Sequence, residues 1–198
     1  MPEEREIVVT SGGLKLEGRL HEGAVPYSWV VLHPHPQYGG DMDNHVVVAI
    51  CEALKDRGAT TLRLNFRGTG ASEGTYDGGR GELEDALAAV AFLRESTRGP
   101  IGCAGYSFGA SIAASAAVEA GAAALVVVSP PTLQGPPPLP PRVPTLVLTG
   151  DRDPFSSGSV IAALARDGVR VAVVSGVDHG WWPGVEALKE HLIAFEPA

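Results

Sequence analysis

Short, continuous apolar runs alternate along this chain with segments of helical periodicity. Such runs are typical of strands that are covered on both faces. Between two of them, Val47, Ile50, Cys51 and Leu54 follow the spacing i, i+3, i+4, i+7, which predicts an amphipathic helix. Strands that alternate with helices form a mostly parallel sheet with helices on both faces, so the pattern predicts an α/β fold. The predicted strands lie at 29–32, 60–66, 101–104, 124–128, 146–148 and 171–174.

Two segments depart from this alternation. Residues 7–9 and 14–16 alternate in polarity around Gly12 and Gly13, which predicts an antiparallel hairpin at one edge of the sheet. Residues 130–144 contain eight prolines, which predicts an extended connector between two strands. With the hairpin, we expect a sheet of about eight strands in a single domain that spans residues 1–198.

Charge and apolar patterning limit the partners of this chain. The 15 basic and 23 acidic residues give a net charge of −8, which disfavours binding to nucleic acid or to an anionic membrane. No apolar run approaches the ~20 residues of a membrane-spanning helix, and the acidic start resembles no signal or transit peptide. We therefore expect a cytoplasmic protein with a small-molecule substrate. The sequence does not indicate an oligomeric state.

The pattern G-x-S-x-G occurs twice, around Ser72 and around Ser107. A nucleophile elbow needs a strand before the sharp turn and a helix after it. Ser107 follows the apolar run at 101–104 and precedes a segment of small residues at 110–117, whereas Ser72 lies in a glycine-rich loop. Ser107 is therefore the predicted nucleophile.

A serine nucleophile needs an imidazole to accept its proton. The histidines after Ser107 are His179 and His191. His191 lies within the final amphipathic segment, where it fits a solvated helix residue, whereas His179 follows the strand predicted at 171–174. Ligands of parallel sheets bind at the carboxyl ends of the strands, so we predict His179 as the general base.

The acid that orients the imidazole has three candidates. Asp151 and Asp153 both follow the strand predicted at 146–148, and Asp178 is adjacent to His179. Asp153 agrees with the chain order of nucleophile, acid and base, while Asp151 fits a turn residue that bonds to its own loop. We prefer Asp153 and keep Asp151 as its rival. Asp178 is a weaker candidate, because the side chains of neighbouring residues tend to diverge.

Two backbone amides are candidates for stabilising the oxyanion of an acyl-transfer intermediate. One is the amide of Phe108, directly after the nucleophile, and the other belongs to the loop after an earlier strand. In that loop His35 stands between two prolines, which carry no N–H, so the amide of His35 is its candidate donor.

The same loop supports a different chemistry. His33, His35 and His45, with Asp41 and Asp43, are a possible metal-binding cluster, which makes a metal-dependent hydrolase the main alternative. Catalytic zinc usually needs three well-placed ligands, and the intervening prolines make this spacing unfavourable. The two aspartates also precede a predicted helix, where they fit capping residues. A third reading is a hydrolase-like protein that binds without catalysis.

With these residues placed, the chain resembles the α/β-hydrolase superfamily over about residues 7–195. Within it, the chain is similar to small, uncapped bacterial serine hydrolases related to the dienelactone hydrolase and acyl-peptidase-like branches. The motifs that carry the resemblance are HPHP at 33–36, NFRGTGAS at 65–72, GYSFG at 105–109, GDRD at 150–153 and DH at 178–179.

The resemblance implies an α/β-hydrolase fold without a cap domain and a triad of Ser107, Asp153 and His179. It also implies that Arg67 is structural and that no dissociable cofactor is required. Dienelactone hydrolase itself has a cysteine nucleophile, so its substrate does not carry over to a chain with serine at this position. The proline-rich connector stands where many relatives have a helical cap, so we expect an open site.

Taken together, these residues predict a serine hydrolase that cleaves carboxylic esters, or related acyl bonds, through an acyl-enzyme intermediate. Aromatic residues beside the catalytic loops are candidates for the substrate pocket, although they also fit local core packing. They are Tyr38, Tyr106, Phe108, Trp181 and Trp182.

Overall fold

The computed structural model describes residues 4–196, which form one eight-stranded sheet in the order β1-β2-β4-β3-β5-β6-β7-β8. The strands are β1 (Arg5–Ser11), β2 (Leu14–His21), β3 (Ser28–Leu32), β4 (Thr60–Leu64), β5 (Ile101–Tyr106), β6 (Ala124–Val128), β7 (Thr145–Gly150) and β8 (Val169–Val174). The helices are α1 (His45–Asp56), α2 (Arg80–Ser96), α3 (Phe108–Ala120), α4 (Gly158–Ala162) and α5 (Val185–Ile193).

The predicted mostly parallel sheet is confirmed. The pairs from β4 through β3, β5, β6 and β7 to β8 are all parallel. The strands β1 and β2 form the predicted hairpin, in which Val9 pairs with Leu16, and β2 joins the sheet antiparallel to β4. The loops that follow the parallel strands therefore meet at one edge of the sheet, where a site is expected.

Strand β3 shows how one apolar run serves both faces of the sheet. Because successive side chains of a strand point to opposite faces, Val30 and Leu32 pack into the core that contains residues of α2 and α3. Trp29 and Val31 pack into the second core, with residues of α1 and α5. Helices therefore cover both faces, as the continuous apolar pattern predicted.

The connector between β6 and β7 contains no helix or strand. Its prolines supply no backbone N–H for a helical ladder, which explains why no helical cap forms here. It crosses the edge of the sheet where the catalytic candidates lie, and Pro131, Leu133 and Pro136 line the cavity described below.

Some element boundaries differ from the sequence-based expectation. The strand predicted at 60–66 ends at Leu64, and the strand predicted at 101–104 extends to Tyr106. Cys51 and Cys103 are free and buried, and burial raises the pKa of each thiol to about 12. No helix formed by residues 4–196 is long and apolar enough to cross a lipid bilayer.

Candidate active site

Ser107 lies in a sharp turn between β5 and α3. Its backbone has φ 56° and ψ −120°, an uncommon conformation for a residue with a side chain. The turn requires close approach on both sides, because a Cβ on Gly105 would lie 2.2 Å from the carbonyl oxygen of Gly109. A Cβ on Gly109 would lie 2.4 Å from the carbonyl oxygen of Leu32. Both glycines of the motif are therefore required by packing, and the turn projects Ser107 from the edge of the sheet.

The structure brings Ser107, His179 and Asp153 together from the loops after β5, β8 and β7. The Nε2 atom of His179 lies 3.0 Å from Oγ of Ser107. Its Nδ1 atom lies 2.9 Å and 3.0 Å from the two carboxylate oxygens of Asp153. With Asp153 ionised, Nδ1–H donates to the carboxylate and leaves the lone pair of Nε2 free to accept the Ser107 proton.

The carboxylate of Asp153 is held by several donors. Its side chain is fully buried, and its Oδ1 accepts hydrogen bonds from the amides of Phe155 at 2.9 Å and Ser156 at 3.0 Å. Burial alone would raise the pKa of Asp153, but hydrogen bonds from His179, the Ser129 hydroxyl and the Phe155 amide hold that pKa below its usual value. The group is therefore kept anionic beside the imidazole.

The rival carboxylates have other partners. Asp151 accepts hydrogen bonds from Oγ of Ser175 at 3.1 Å and from the amide of Gly176 at 2.7 Å. Asp178 accepts from the amide of Gly180 at 3.0 Å, within its own turn. Both carboxylates thus stabilise loops, which is the role that turn chemistry suggested for Asp151.

Ser72, in the second G-x-S-x-G pattern, is a buried loop residue. Its hydroxyl donates to the carbonyl oxygen of Asn65 at 2.8 Å and accepts from the amide of Glu17 at 3.0 Å. The hydroxyl therefore joins the glycine-rich loop to β2. His191, the other histidine candidate, lies on α5.

The loop that carries His179 is fixed by hydrogen bonds to its backbone. The Tyr106 hydroxyl donates to the carbonyl oxygen of His179 at 2.5 Å, and Nε2 of His45 donates to that of Gly180 at 2.7 Å. Tyr106 is the last residue of β5, directly before Ser107, and His45 is the first residue of α1. The position of His179 is therefore tied to the centre of the sheet.

Trp181 and Trp182 do not line the cavity beside Ser107, contrary to the prediction. Trp181 is fully buried, and its Nε1 donates to Oγ of Ser129 at 2.8 Å. Trp182 is 74% exposed and stacks on His45, with ring centroids 3.9 Å apart. The backbone of Trp181 has φ 61°, and this turn directs the two neighbouring indoles to different environments.

A cavity of about 1020 Å³ opens above Ser107 and His179. The predicted pocket residues Tyr38 and Tyr106 line it, together with Phe108. Tyr38 is 88% exposed at the rim, whereas Tyr106 is buried below His179. The opposite boundary is formed by the proline-rich connector and by Phe155.

His35 and Phe108, the candidate oxyanion donors, both border this cavity, and their rings lie 4.9 Å apart. Phe108 is the first residue of α3, where a backbone N–H has no carbonyl four residues before it within the helix. A Cβ on Gly109 would also lie 2.4 Å from the carbonyl oxygen of His33, so the start of α3 packs directly against the loop that carries His35. The structure therefore brings both donor segments beside Ser107.

Comparisons with known proteins agree with the observed fold. Residues 39–149 match the family model described as serine aminopeptidase, S33. The chain belongs to this family of α/β serine hydrolases. The resemblance predicted from the motifs is thereby confirmed, as is the fold without a cap.

Among solved structures, an α/β serine hydrolase homologue from Coxiella burnetii has a TM-score of 0.86 and 29% identity, with 98% of each chain covered. A lidless α/β serine hydrolase from Xanthomonas campestris has a TM-score of 0.88 and 26% identity, with 97% of this chain and 93% of that chain covered. An uncharacterized protein of Rickettsia prowazekii is 44% identical over 103 residues, which are 50% of this chain and 43% of that relative's length.

The histidines of the metal alternative have separate partners in this hydrolase. The ring of His33 bonds to the backbone of residues 34 and 66, Nδ1 of His35 accepts from the amide of Gln37, and His45 binds Gly180. Within residues 4–196, no three His, Cys, Asp or Glu side chains are grouped to hold a metal ion. The structure therefore does not bring His33, His35 and His45 together as one metal-binding group.

His33 is a buried structural histidine. Its Nε2 accepts from the amide of Phe66 at 3.0 Å, and its Nδ1 donates to the carbonyl oxygen of Pro34 at 2.6 Å. Burial lowers the pKa of His33 to about 4. The folded hydrolase therefore holds this imidazole neutral at pH values where an unfolded chain would protonate it.

This difference predicts a loss of stability in mild acid. Because the folded pKa of His33 is below the unfolded value, stability is complete above about pH 6.5 and falls as the pH approaches 4. The expected loss between pH 7 and pH 4.5 is about 2–3 kcal/mol in the free energy of unfolding, measured by urea denaturation. A His33→Gln variant should lose that part of the pH dependence, and an unchanged slope would contradict the assignment.

Arg67 is structural, as the resemblance implied. Its guanidinium Nη2 donates to Asp85 at 2.8 Å, and its backbone amide donates to the same carboxylate at 2.9 Å. The hydrogen bonds to Asp85 raise the pKa of Arg67. A Cβ on Gly81 would lie 2.2 Å from the guanidinium, so the start of α2 is shaped around this side chain. The pair thereby braces the loop between β4 and α2.

Proposed function

We propose that this serine hydrolase cleaves carboxylic esters through an acyl-enzyme intermediate, with Ser107 as nucleophile, His179 as general base and Asp153 as the acid that orients it. The observation that carries the proposal is the continuous series of hydrogen bonds from Asp153 through His179 to Ser107. That series ends in an open cavity large enough for a small-molecule ester.

In the first half of the reaction, Oγ of Ser107 attacks the ester carbonyl carbon while its proton moves to Nε2 of His179. The carbonyl oxygen gains the negative charge, and the amides of Phe108 and His35 are the proposed donors to it. Asp153 stabilises the imidazolium without accepting its proton. When the intermediate collapses, the bond to the alcohol oxygen breaks and His179 returns the proton to that oxygen.

In the second half, water takes the place of the departed alcohol. His179 accepts a proton from the water as its oxygen attacks the acyl carbon. Collapse of this second intermediate breaks the bond to Oγ, which recovers its proton from Nε2. The carboxylic acid leaves, and the enzyme returns to its starting state with no cofactor consumed.

The direct test is covalent labelling with a small fluorophosphonate, which reacts with activated serine hydroxyls. We expect stoichiometric labelling of the peptide that contains Ser107, located by mass spectrometry, and loss of esterase activity in proportion to labelling. A Ser72→Ala variant should still be labelled. An unlabelled protein would favour the reading as a binding protein, and activity that is lost with a chelator and restored by zinc would favour the metal alternative.

A further inference from the structure

The cavity above Ser107 has an unusual electrostatic composition for a protein with a net charge of −8. Among the described residues that line it, there is no Asp, Glu, Lys or Arg. The pKa of His35, one of its two histidines, is lowered because burial opposes the charged imidazolium. The cavity therefore presents no fixed charge to a substrate. Its apolar boundary includes Leu133, Pro136, Pro137, Pro138 and Phe155.

Three carboxylates near the cavity accept hydrogen bonds from other groups. Glu82 is fully buried and accepts hydrogen bonds from the amides of Asp77 at 2.9 Å and Gly79 at 2.7 Å. Asp153 receives His179 and two backbone amides, and Asp178 receives the amide of its own turn. A positively charged substrate group would thus find no carboxylate in the cavity wall to pair with.

Burying a charged group without a partner is costly, so an unpaired site selects against charged substrates. The free amino terminus of a peptide is largely protonated at pH 7, and an aminopeptidase must hold that ammonium group beside its scissile bond. An anionic substrate would meet no lysine or arginine in this wall and would approach a negatively charged protein. Neither class of charged substrate fits the cavity.

The position of the leaving group follows from the proton transfer. Nε2 of His179 must give its proton to the alcohol oxygen, so the alcohol part of the ester lies beside this ring. The ring of Phe155 meets the His179 ring edge-on, with centroids 4.9 Å apart, and also lines the cavity. The amide of Thr132 donates to the carbonyl oxygen of Phe155 at 2.9 Å, which joins the connector to this wall beside Leu133.

We propose that the site selects uncharged esters whose alcohol group is apolar and packs against Phe155 and the connector. The site rejects substrates with a free amino group. This inference rests on the ester hydrolysis proposed above. It also separates the chain from the aminopeptidase activity in the description of its family model.

The charge selection is tested with three ethyl esters of similar length: ethyl heptanoate, ethyl 6-aminohexanoate and monoethyl adipate. At pH 7 they are neutral, cationic and anionic. We expect kcat/KM for each charged ester to be about tenfold below that of the neutral ester. A difference below fivefold for either one would overturn the proposal, as would aminopeptidase turnover of leucine p-nitroanilide.

The proposed contact between the alcohol group and the connector is tested with Leu133→Glu. This side chain is 82% exposed at the rim of the cavity and has no part in the proton transfers. We expect kcat/KM for phenyl acetate to fall about fivefold or more and that for methyl acetate to change less than twofold. The matched control is Val8→Glu, on the exposed face of β1 and 59% exposed, which should leave both values unchanged. Equal effects on the two esters, or no effect on phenyl acetate, would contradict the assignment.

Fluorophosphonate labelling distinguishes a failure of the proposed function from a failure of the charge selection alone. If the wild-type protein is not labelled at Ser107, the proposed function fails together with this inference. If Ser107 is labelled and neutral esters are hydrolysed, but charged esters react equally fast, the serine mechanism stands and the charge selection alone is wrong.

Discussion

Replacing Ser107 with alanine is expected to lower kcat for ester hydrolysis by about 10⁶-fold. The variant lacks the oxygen that forms the acyl-enzyme, so what remains is hydrolysis assisted by the cavity and the oxyanion donors. The Cβ is retained, so the turn at φ 56° is as accessible to alanine as to serine. The measurement is steady-state hydrolysis of p-nitrophenyl acetate, with thermal unfolding followed in parallel.

The matched control for this prediction is Ser72→Ala, in the other G-x-S-x-G pattern. Removing this hydroxyl leaves the amide of Glu17 without its acceptor, so we expect a loss of about 1–3 kcal/mol in the free energy of unfolding. The kcat of the folded variant should be unchanged. Activity that survives Ser107→Ala but is lost in the folded Ser72→Ala protein would show that the nucleophile has been misassigned.

Replacing Asp153 with asparagine is expected to lower kcat by about 10⁴-fold. An asparagine amide donates to Nδ1 of His179, which moves the ring proton to Nε2 and leaves no lone pair facing the Ser107 hydroxyl. The carboxylate is also lost as the partner of the imidazolium. The rate is measured as kcat at pH 7, and fluorophosphonate labelling of Ser107 should slow in parallel.

The rival aspartate provides the control for this second prediction. Asp151→Asn keeps an acceptor oxygen for the amide of Gly176 and does not touch His179, so its kcat should stay within about threefold of the wild type. If Asp151→Asn were the inactive variant and Asp153→Asn remained active, the acid would be Asp151. Comparable losses in both would indicate that loop order, and not one carboxylate, sustains the activity.

The fold was predictable because its signals are local. Apolar runs on both faces, glycines around Ser107 and prolines in the connector each restrict the backbone where they occur. The same holds for the placement of Ser107, Asp153 and His179, since each follows a strand and parallel strands end at one edge of the sheet. Turn chemistry then favoured Asp153 over Asp151 as a preference.

What could not be predicted depends on contacts between distant segments. Trp181 and Trp182 are neighbours with the same side chain, and only the tertiary turn at Trp181 decides which indole is buried. Ser129 follows β6 in no recognisable motif, yet its hydroxyl accepts from the buried Trp181 indole and helps to hold the pKa of Asp153 low. A search for polar residues directly after each parallel strand would have included Ser129 among the candidates.

The order of the strands also places the members of the proposed triad unevenly, with one near the middle of the sheet and another at its edge. Ser107 follows β5, which has a strand on either side, whereas His179 follows β8, which has one neighbour and one buried residue among its six. Local unfolding of such an edge strand costs less free energy than unfolding of a central strand. Partial melting at this edge would therefore leave the His179 loop held by fewer contacts, among them its hydrogen bonds to Tyr106 and His45, while Ser107 stayed in place, so we expect activity to be lost before the whole molecule unfolds.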